Sequence, residues 1–172
     1  MQSESVSIGL INPKSPSNVG SVMRAAGCFR ADAVFYTGER YQRAAKFSTD
    51  TKNVSGDIPL LGVSSMLQSI PDDRQLVCVE LVEGAIPLPE FQHPAKAFYL
   101  FGPEDGTLSQ ELIDRADAVV YIPTRGCLNL AATVNVVLYD RQAKANLSLG
   151  SDALICQSRD RNNRVKVKEL LE

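Results

Sequence analysis

Three short polar groups, each abutting an apolar segment, hold the residues best suited to chemistry. They are Asn18-Val19-Gly20 followed by Arg24, Phe101-Gly102-Pro103-Glu104, and Ile122-Pro123 followed by Cys127-Leu128-Asn129. In the first, Asn18 can satisfy one of the backbone N–H groups that a helix start leaves unpaired, and Gly20 permits close approach by a ligand or another chain. Arg24 follows one turn after Gly20 on the same helical face and is the only charged residue between Val19 and Phe29. Read alone it is a surface arginine, and a guanidinium stays protonated, so it is a poor base. In the second group, a buried strand ends in Gly102-Pro103-Glu104. Such an end puts polar groups outside the carboxyl edge of a sheet, where open α/β proteins bind ligands. The same tripeptide is also an ordinary turn. In the third, Asn129 stands at a helix start, either as a plain cap or as a site residue turned toward the Asn18 loop.

These groups need a frame to bring them together. Val6 to Ile11, Ala33 to Tyr36, Leu60 to Val63, Leu76 to Leu81, Ala97 to Phe101 and Ala118 to Ile122 read as strands. Val19 to Phe29, Ser64 to Ile70, Ser109 to Asp114 and Leu128 to Ala145 read as helices, the first capped by Ser17 or Asn18. Strands alternating with helices predict an α/β fold, a parallel sheet with helices on both faces. Thr37 to Asp57 is a long connection, and long connections inside compact domains are often functional. Gly84 to Pro94 reads as a loop. The helix from Leu128 is apolar on nearly all faces, so it is buried or forms an interface. One domain is expected over residues 1–150, then a basic tail over 151–172 that either docks or stays mobile.

Together and in this order, the three groups resemble the signature of the TrmH/SpoU family of SPOUT RNA methyltransferases, from roughly Ile8 to Ala143. The resemblance implies a SPOUT-type fold with a C-terminal deep trefoil knot. It implies S-adenosylmethionine as cofactor, no metal, and methyl transfer to a ribose 2′-hydroxyl of RNA. Arg24 falls on the family's catalytic arginine, polarising the ribose hydroxyl or holding the adjacent phosphate, with Asn18, Glu104 and Asn129 as its companions. The cofactor contacts are implied around Glu80, Gly102, Ile122, Cys127 and Leu130. Two positions depart from the family. Thr107 stands where a glycine is usual, with Gly106 one residue early, and Cys127 replaces a serine. A thiol is only a weak donor. Direct transfer from sulfonium to oxygen needs no covalent relay, which disfavours Cys127 as a methyl carrier. Domains of this kind are implied to act as homodimers. The short segment before the first group implies that a separate amino-terminal RNA-binding domain is lacking. Compactness favours tRNA over rRNA as substrate.

The net charge of −2 gives no long-range basic field, so RNA affinity must come from local clusters. One contains Arg40, Arg43, Lys46 and Lys52, and the other runs from Arg159 to Lys168. The candidate RNA contacts are Arg40, Arg43, Lys46, Arg125, Arg161 and Arg164. No apolar run is long enough for a bilayer and Met1 to Val6 lacks a signal-peptide pattern, so a cytoplasmic protein without membrane partners is expected. The four cysteines are Cys28, Cys78, Cys127 and Cys156; they form no Cys-x-x-Cys pair, which argues against zinc or a disulfide framework. Three are expected to be packed thiols. His93 is the single histidine, in a Pro-flanked loop. Two other readings stay open. One is a non-catalytic knotted RNA-binding paralogue, suggested by the altered second group and Cys127. The other is a doubly wound nucleotide-binding enzyme, which lacks both Gly-x-Gly-x-x-Gly and a Walker sequence.

Overall fold

Apolar runs too short to cross a membrane and too continuous for an exposed sheet are what buried parallel strands require. The computed structural model, which describes residues 4–45, 58–145, 150–159 and 164–167, contains such a sheet. Its strands are β1 (Ser5–Leu10), β2 (Ala33–Tyr36), β3 (Leu60–Gly62), β4 (Gln75–Val79), β5 (Ile86–Pro87), β6 (Lys96–Phe101) and β7 (Ala118–Tyr121). They lie in the order β3-β2-β1-β6-β4-β7-β5, and every pairing is parallel. The helices are α1 (Pro16–Cys28), α2 (Arg40–Ala45), α3 (Gln110–Arg115), α4 (Leu130–Lys144) and α5 (Asp152–Ser158).

Side chains alternate across each strand, so the sheet builds two cores. Ile8, Leu10, Val77, Val79, Tyr99 and Phe101 pack with Val19, Val22 and Ala26 of α1 and with Val134 and Val137 of α4. Phe98, Leu100, Leu76 and Cys78 face the other side, with Leu112 and Ile113 of α3 and a 3-10 turn at Leu67–Ser69. Helices thus cover both faces, as expected.

Several boundaries differ for local reasons. The cap of α1 is Ser15, whose hydroxyl accepts from the Asn18 amide at 3.3 Å, not Ser17 or Asn18. Pro16 decides it, because its fixed φ suits the first helical position and it has no N–H to satisfy. Within the stretch expected to be loop, Ile86–Pro87 pairs with β7 as a two-residue edge strand, where a proline is tolerated. The helix expected from Ser64 shrinks to the 3-10 turn. The long connection after Thr37 contains α2, and residues 46–57 lie outside the described residues. The tail contains α5, capped by Ser151.

A partly buried polar network anchors α4. His93 Nδ1 lies 2.6 Å from Tyr99 Oη, and Nε2 lies 2.8 Å from Asp140 Oδ2. Arg141 donates to the Pro94 and Ala95 carbonyls, and Lys144 to those of Leu88 and Phe91. Burial pushes the Tyr99 hydroxyl up to about 12 and lowers His93, against the pull of Asp140. Of the thiols, only Cys78 is buried, and burial raises it to about 12; Cys28, Cys127 and Cys156 are exposed, contrary to expectation. Leu128 beside Cys127 and Ile155 beside Cys156 are exposed as well, so these segments lie at the surface.

Gly9 in β1 lies closely packed against the second core. A Cβ there would lie 2.6 Å from Phe98 Cε1 and 2.9 Å from Leu100 Cδ1. Both side chains are fully buried and have nowhere to swing. Gly9→Ala is expected to destabilise the protein by about 1–3 kcal/mol through overpacking. The check is a lower urea midpoint at an unchanged m-value; an unmoved midpoint would mean that the core yields freely.

Candidate active site

The loops after β1, β4, β6 and β7 leave the sheet at its carboxyl edge, and the three polar groups meet there. Glu104, three residues past Phe101, accepts from the Asn18 side-chain amide at 3.1 Å. Its two oxygens also take the backbone N–H groups of Lys14 at 3.0 Å and Ser15 at 3.2 Å. These donors precede the first turn of α1, where the helix dipole also favours an anion. Asn18 in turn accepts from Asn129 Nδ2 at 2.9 Å, and Asn129 Oδ1 caps α4 by accepting from the Ala131 and Ala132 amides. Asn129 therefore both caps α4 and turns toward the Asn18 loop. The ionised carboxylate is acceptor-only and α4 offers only donors, so this direction satisfies both asparagine amides.

Partial burial pushes Glu104 up. The hydrogen bonds from Asn18 and from backbone amides, those of Lys14 and Ser15 among them, outweigh it and hold the carboxyl below its usual range.

Beside this relay lies a pocket of about 150 Å³. It is lined by Glu80, Gly102, Glu104, Ile122, Cys127 and Leu130, together with Val79, Phe101, Tyr121 and Thr133 among others. Every residue expected at a cofactor lies on it. Glu80 ties the floor together, accepting from the Leu81 amide through one oxygen and from the Leu108 amide through the other, each at 2.9 Å. Gly102 allows this, since a Cβ there would stand 3.0 Å from Glu80 Oε2. The lining combines apolar strand ends with two carboxylates, a set suited to a ligand with a flat apolar part and a positive charge.

Arg24 lies outside both the relay and the pocket lining. It is exposed on the outer face of α1, among Ser17, Gly20, Ser21 and Gly27, and has no hydrogen-bond or ion-pair partner among the described residues. Of the residues expected on RNA, Arg125 is exposed between the pocket residues Thr124 and Gly126, and Arg164 is exposed in the tail. Arg43, on α2, is exposed and paired with Glu39 just before that helix. Arg40 spends its guanidinium inside the chain, on Asp105 and the Asn12 carbonyl. Lys46 and Arg161 lie outside the described residues. Sequence reasoning missed Lys14 and Ser15, which act through backbone amides and so carry no side-chain signature. It also missed Tyr121 and Thr133, whose types are ordinary for a strand end and a helix.

The family model described as the SpoU rRNA Methylase family matches residues 5–139. The tRNA (cytidine-2′-O-)-methyltransferase TrmJ of Methanocaldococcus jannaschii is 28% identical over 158 residues, covering 81% of this chain and 68% of that protein. Among solved structures, the AdoMet-bound rRNA methyltransferase from Sinorhizobium meliloti aligns with a TM-score of 0.67 at 22% identity, over 83% of this chain. This chain spans only 57% of that one. The A. aeolicus TrmH/SpoU tRNA modifying enzyme aligns with a TM-score of 0.68 at 17% identity, over 81% of this chain and 75% of its own. At such identities the two structures establish the fold.

Because Glu104 titrates below its ordinary range in the folded state, its contribution to stability is complete above that range and is lost as pH falls through the folded value. Glu104→Gln removes the charge and one acceptor, so it should lower the urea midpoint at pH 7 and flatten the acid limb of the stability–pH curve. Parallel acid limbs in the two proteins would show that the carboxylate is not held by these donors.

Proposed function

The chain belongs to the SpoU rRNA methylase family, and from that premise we propose that it transfers a methyl group from S-adenosylmethionine to a ribose 2′-hydroxyl of RNA, tRNA in preference to rRNA. The observation that carries the reading is the relay Asn129–Asn18–Glu104 running beside a pocket lined by Glu80, Gly102, Ile122, Cys127 and Leu130. The name of the archaeal relative supports tRNA.

Bound in the pocket, S-adenosylmethionine supplies a methyl group activated by a positively charged sulfur. Backbone at Gly102, Ile122, Cys127 and Leu130 would hold the cofactor's adenosine part, and the carboxylates of Glu80 and Glu104 would favour its positive charge. Glu104, Asn18 and Asn129 fix the loops around the reacting atoms; their hydrogen bonds are already committed to one another and to backbone. Arg24 has no such commitment among the described residues, so its planar fork is available to hold the substrate phosphate or polarise the ribose hydroxyl. It stays protonated, so the hydroxyl proton leaves to the adjacent phosphate or to water. Alignment and electrostatics then account for the rate, without a covalent intermediate. The knot implied by the family belongs to this proposal. So do a cytoplasmic location, which suits the free thiols, and RNA contacts at Arg43, Lys46, Arg125, Arg161 and Arg164.

The proposal extends to a homodimer built on the outer faces of α1 and α4, with Arg24, on that face of α1, at the edge of the seam where the RNA would lie. Gly20 and Gly27 leave open space above α1. On α4, Val136 and Tyr139 are 38% and 64% exposed, large apolar groups that a second copy would cover.

S-adenosylhomocysteine should raise the melting temperature by ligand linkage. Arg24→Ala should keep that shift while losing at least about a hundredfold in methyl transfer to tRNA, as expected when a charge-stabilising donor is removed. Arg24→Lys should rescue little, since it lacks the fork. Normal turnover by Arg24→Ala, or no response to the ligand in the wild type, contradicts the reading. For the dimer, Tyr139→Asp should shift sedimentation from about twice the chain mass to 18.7 kDa. A wild type that sediments as a monomer at micromolar concentration refutes that interface.

A further inference from the structure

We infer that Arg40 is a positioning residue for the proposed methyl transfer, clasping the loop after β1 to the turn after β6 so that the Lys14 and Ser15 amides stay on the Glu104 carboxylate. The inference rests on the function proposed above.

The guanidinium faces two ways. Its Nη1 lies 3.0 and 2.8 Å from the two Asp105 oxygens, while Nε and Nη2 both donate to the Asn12 carbonyl, Nε at 3.2 Å. Asn12 and Asp105 are the neighbours that matter. Asn12 lies two residues before Lys14 in the loop that supplies the donors, and Asp105 follows the acceptor Glu104 directly. A single side chain therefore spans the two loops whose separation decides whether the Glu104 bonds can form.

The surroundings fit a built contact. Asn12 sits at φ 45°, left-handed backbone that exposes its carbonyl, and its amide donates to Thr37 Oγ1 at 3.1 Å. Gly38, at φ 79°, leaves room for the Asn12 side chain, where a Cβ would stand 2.2 Å from Oδ1. Asp105 is carried on the Pro103–Gly106 turn, closed by the Gly106 amide on the Pro103 carbonyl at 3.4 Å. The hydrogen bond from Arg40 holds the Asp105 carboxyl below its usual range, so the pair stays charged at neutral pH. A lysine is a point charge on a flexible stem and cannot satisfy a carboxylate and a backbone carbonyl with one rigid fork.

The competing role is a phosphate contact, and the two roles move different quantities. The variants are Arg40→Ala, Arg40→Lys and, on the other side of the clasp, Asp105→Asn. The probes are bulk tRNA from cells lacking the protein, S-adenosylmethionine labelled in its methyl group, and amide hydrogen exchange over residues 11–18 of the protein alone. Arg40→Ala should lower kcat by about tenfold or more, as misplaced reacting groups do. It should leave KM for tRNA and its salt dependence unchanged and speed exchange at Lys14 and Ser15. Arg40→Lys should restore neither, and Asp105→Asn should reproduce both effects in weaker form. An unchanged kcat with a raised KM and a salt slope smaller by about 1 would make Arg40 a phosphate contact and overturn the inference. Unaltered exchange, or a lower melting temperature as the sole effect, would overturn it as well. If the wild type methylates no tRNA, the functional reading fails on its own, and the exchange measurement still decides whether the clasp exists.

Discussion

An ionised carboxylate drawn partly out of water must be given donors, and Glu104 is where this chain meets that demand. Its donors come from two places, the start of α1 and the loop before it. Because Asn18 is also bonded to Asn129, the same charge reaches the start of α4. Three segments far apart in sequence are thereby fixed against one another at the carboxyl edge of the sheet. Loss of the charge would weaken the hold on Lys14, Ser15 and Asn18 together, while Asn129 would keep its place through the Ala131 and Ala132 amides.

The rest of the fold holds that junction rigid. The central strands β1 and β6 are buried on both faces, so the loops leaving them start from fixed points. Packing of α1 and α4 in one shared core sets the distance between Asn18 and Asn129. The network of His93, Tyr99, Asp140, Arg141 and Lys144 ties α4 to β6 and to the segment before it, and none of these residues lines the pocket. Glu80 does for the pocket floor what Glu104 does for the rim, holding the Leu108 amide where the side chain of any residue but glycine at 102 would crowd it.

Much of this was legible in the sequence because apolar runs and polar strand ends carry a direct physical meaning. Ala97 to Phe101 could only be an inner strand, and the residues after it had to sit at the sheet edge. Of the pocket residues, Gly102 and Ile122 were readable as strand ends, whereas Glu80, Cys127 and Leu130 were expected only from the resemblance to the methyltransferase family. What escaped was set by groups without a sequence signature. Lys14 and Ser15 contribute backbone amides, and Ser15, Ser17 and Asn18 are equally good cap types until Pro16 is weighed. The charge cluster containing Arg40 shows that cations are present, but composition does not say whether their partner is a phosphate or Asp105 of the same chain. The cysteines misled because apolar residue types do not by themselves bury a segment: Leu128, Leu154 and Ile155, beside Cys127 and Cys156, are exposed too.

The central claim is that a site assembled on Glu104 places a methyl group on ribose. It is tested most directly by mass spectrometry of nucleosides from bulk tRNA incubated with the protein and S-adenosylmethionine. The account predicts a nucleoside that gains one methyl group on its sugar fragment, with the base fragment unchanged, and predicts that Glu104→Ala yields none. A methyl group on the base, or equal ribose methylation by Glu104→Ala, would contradict it.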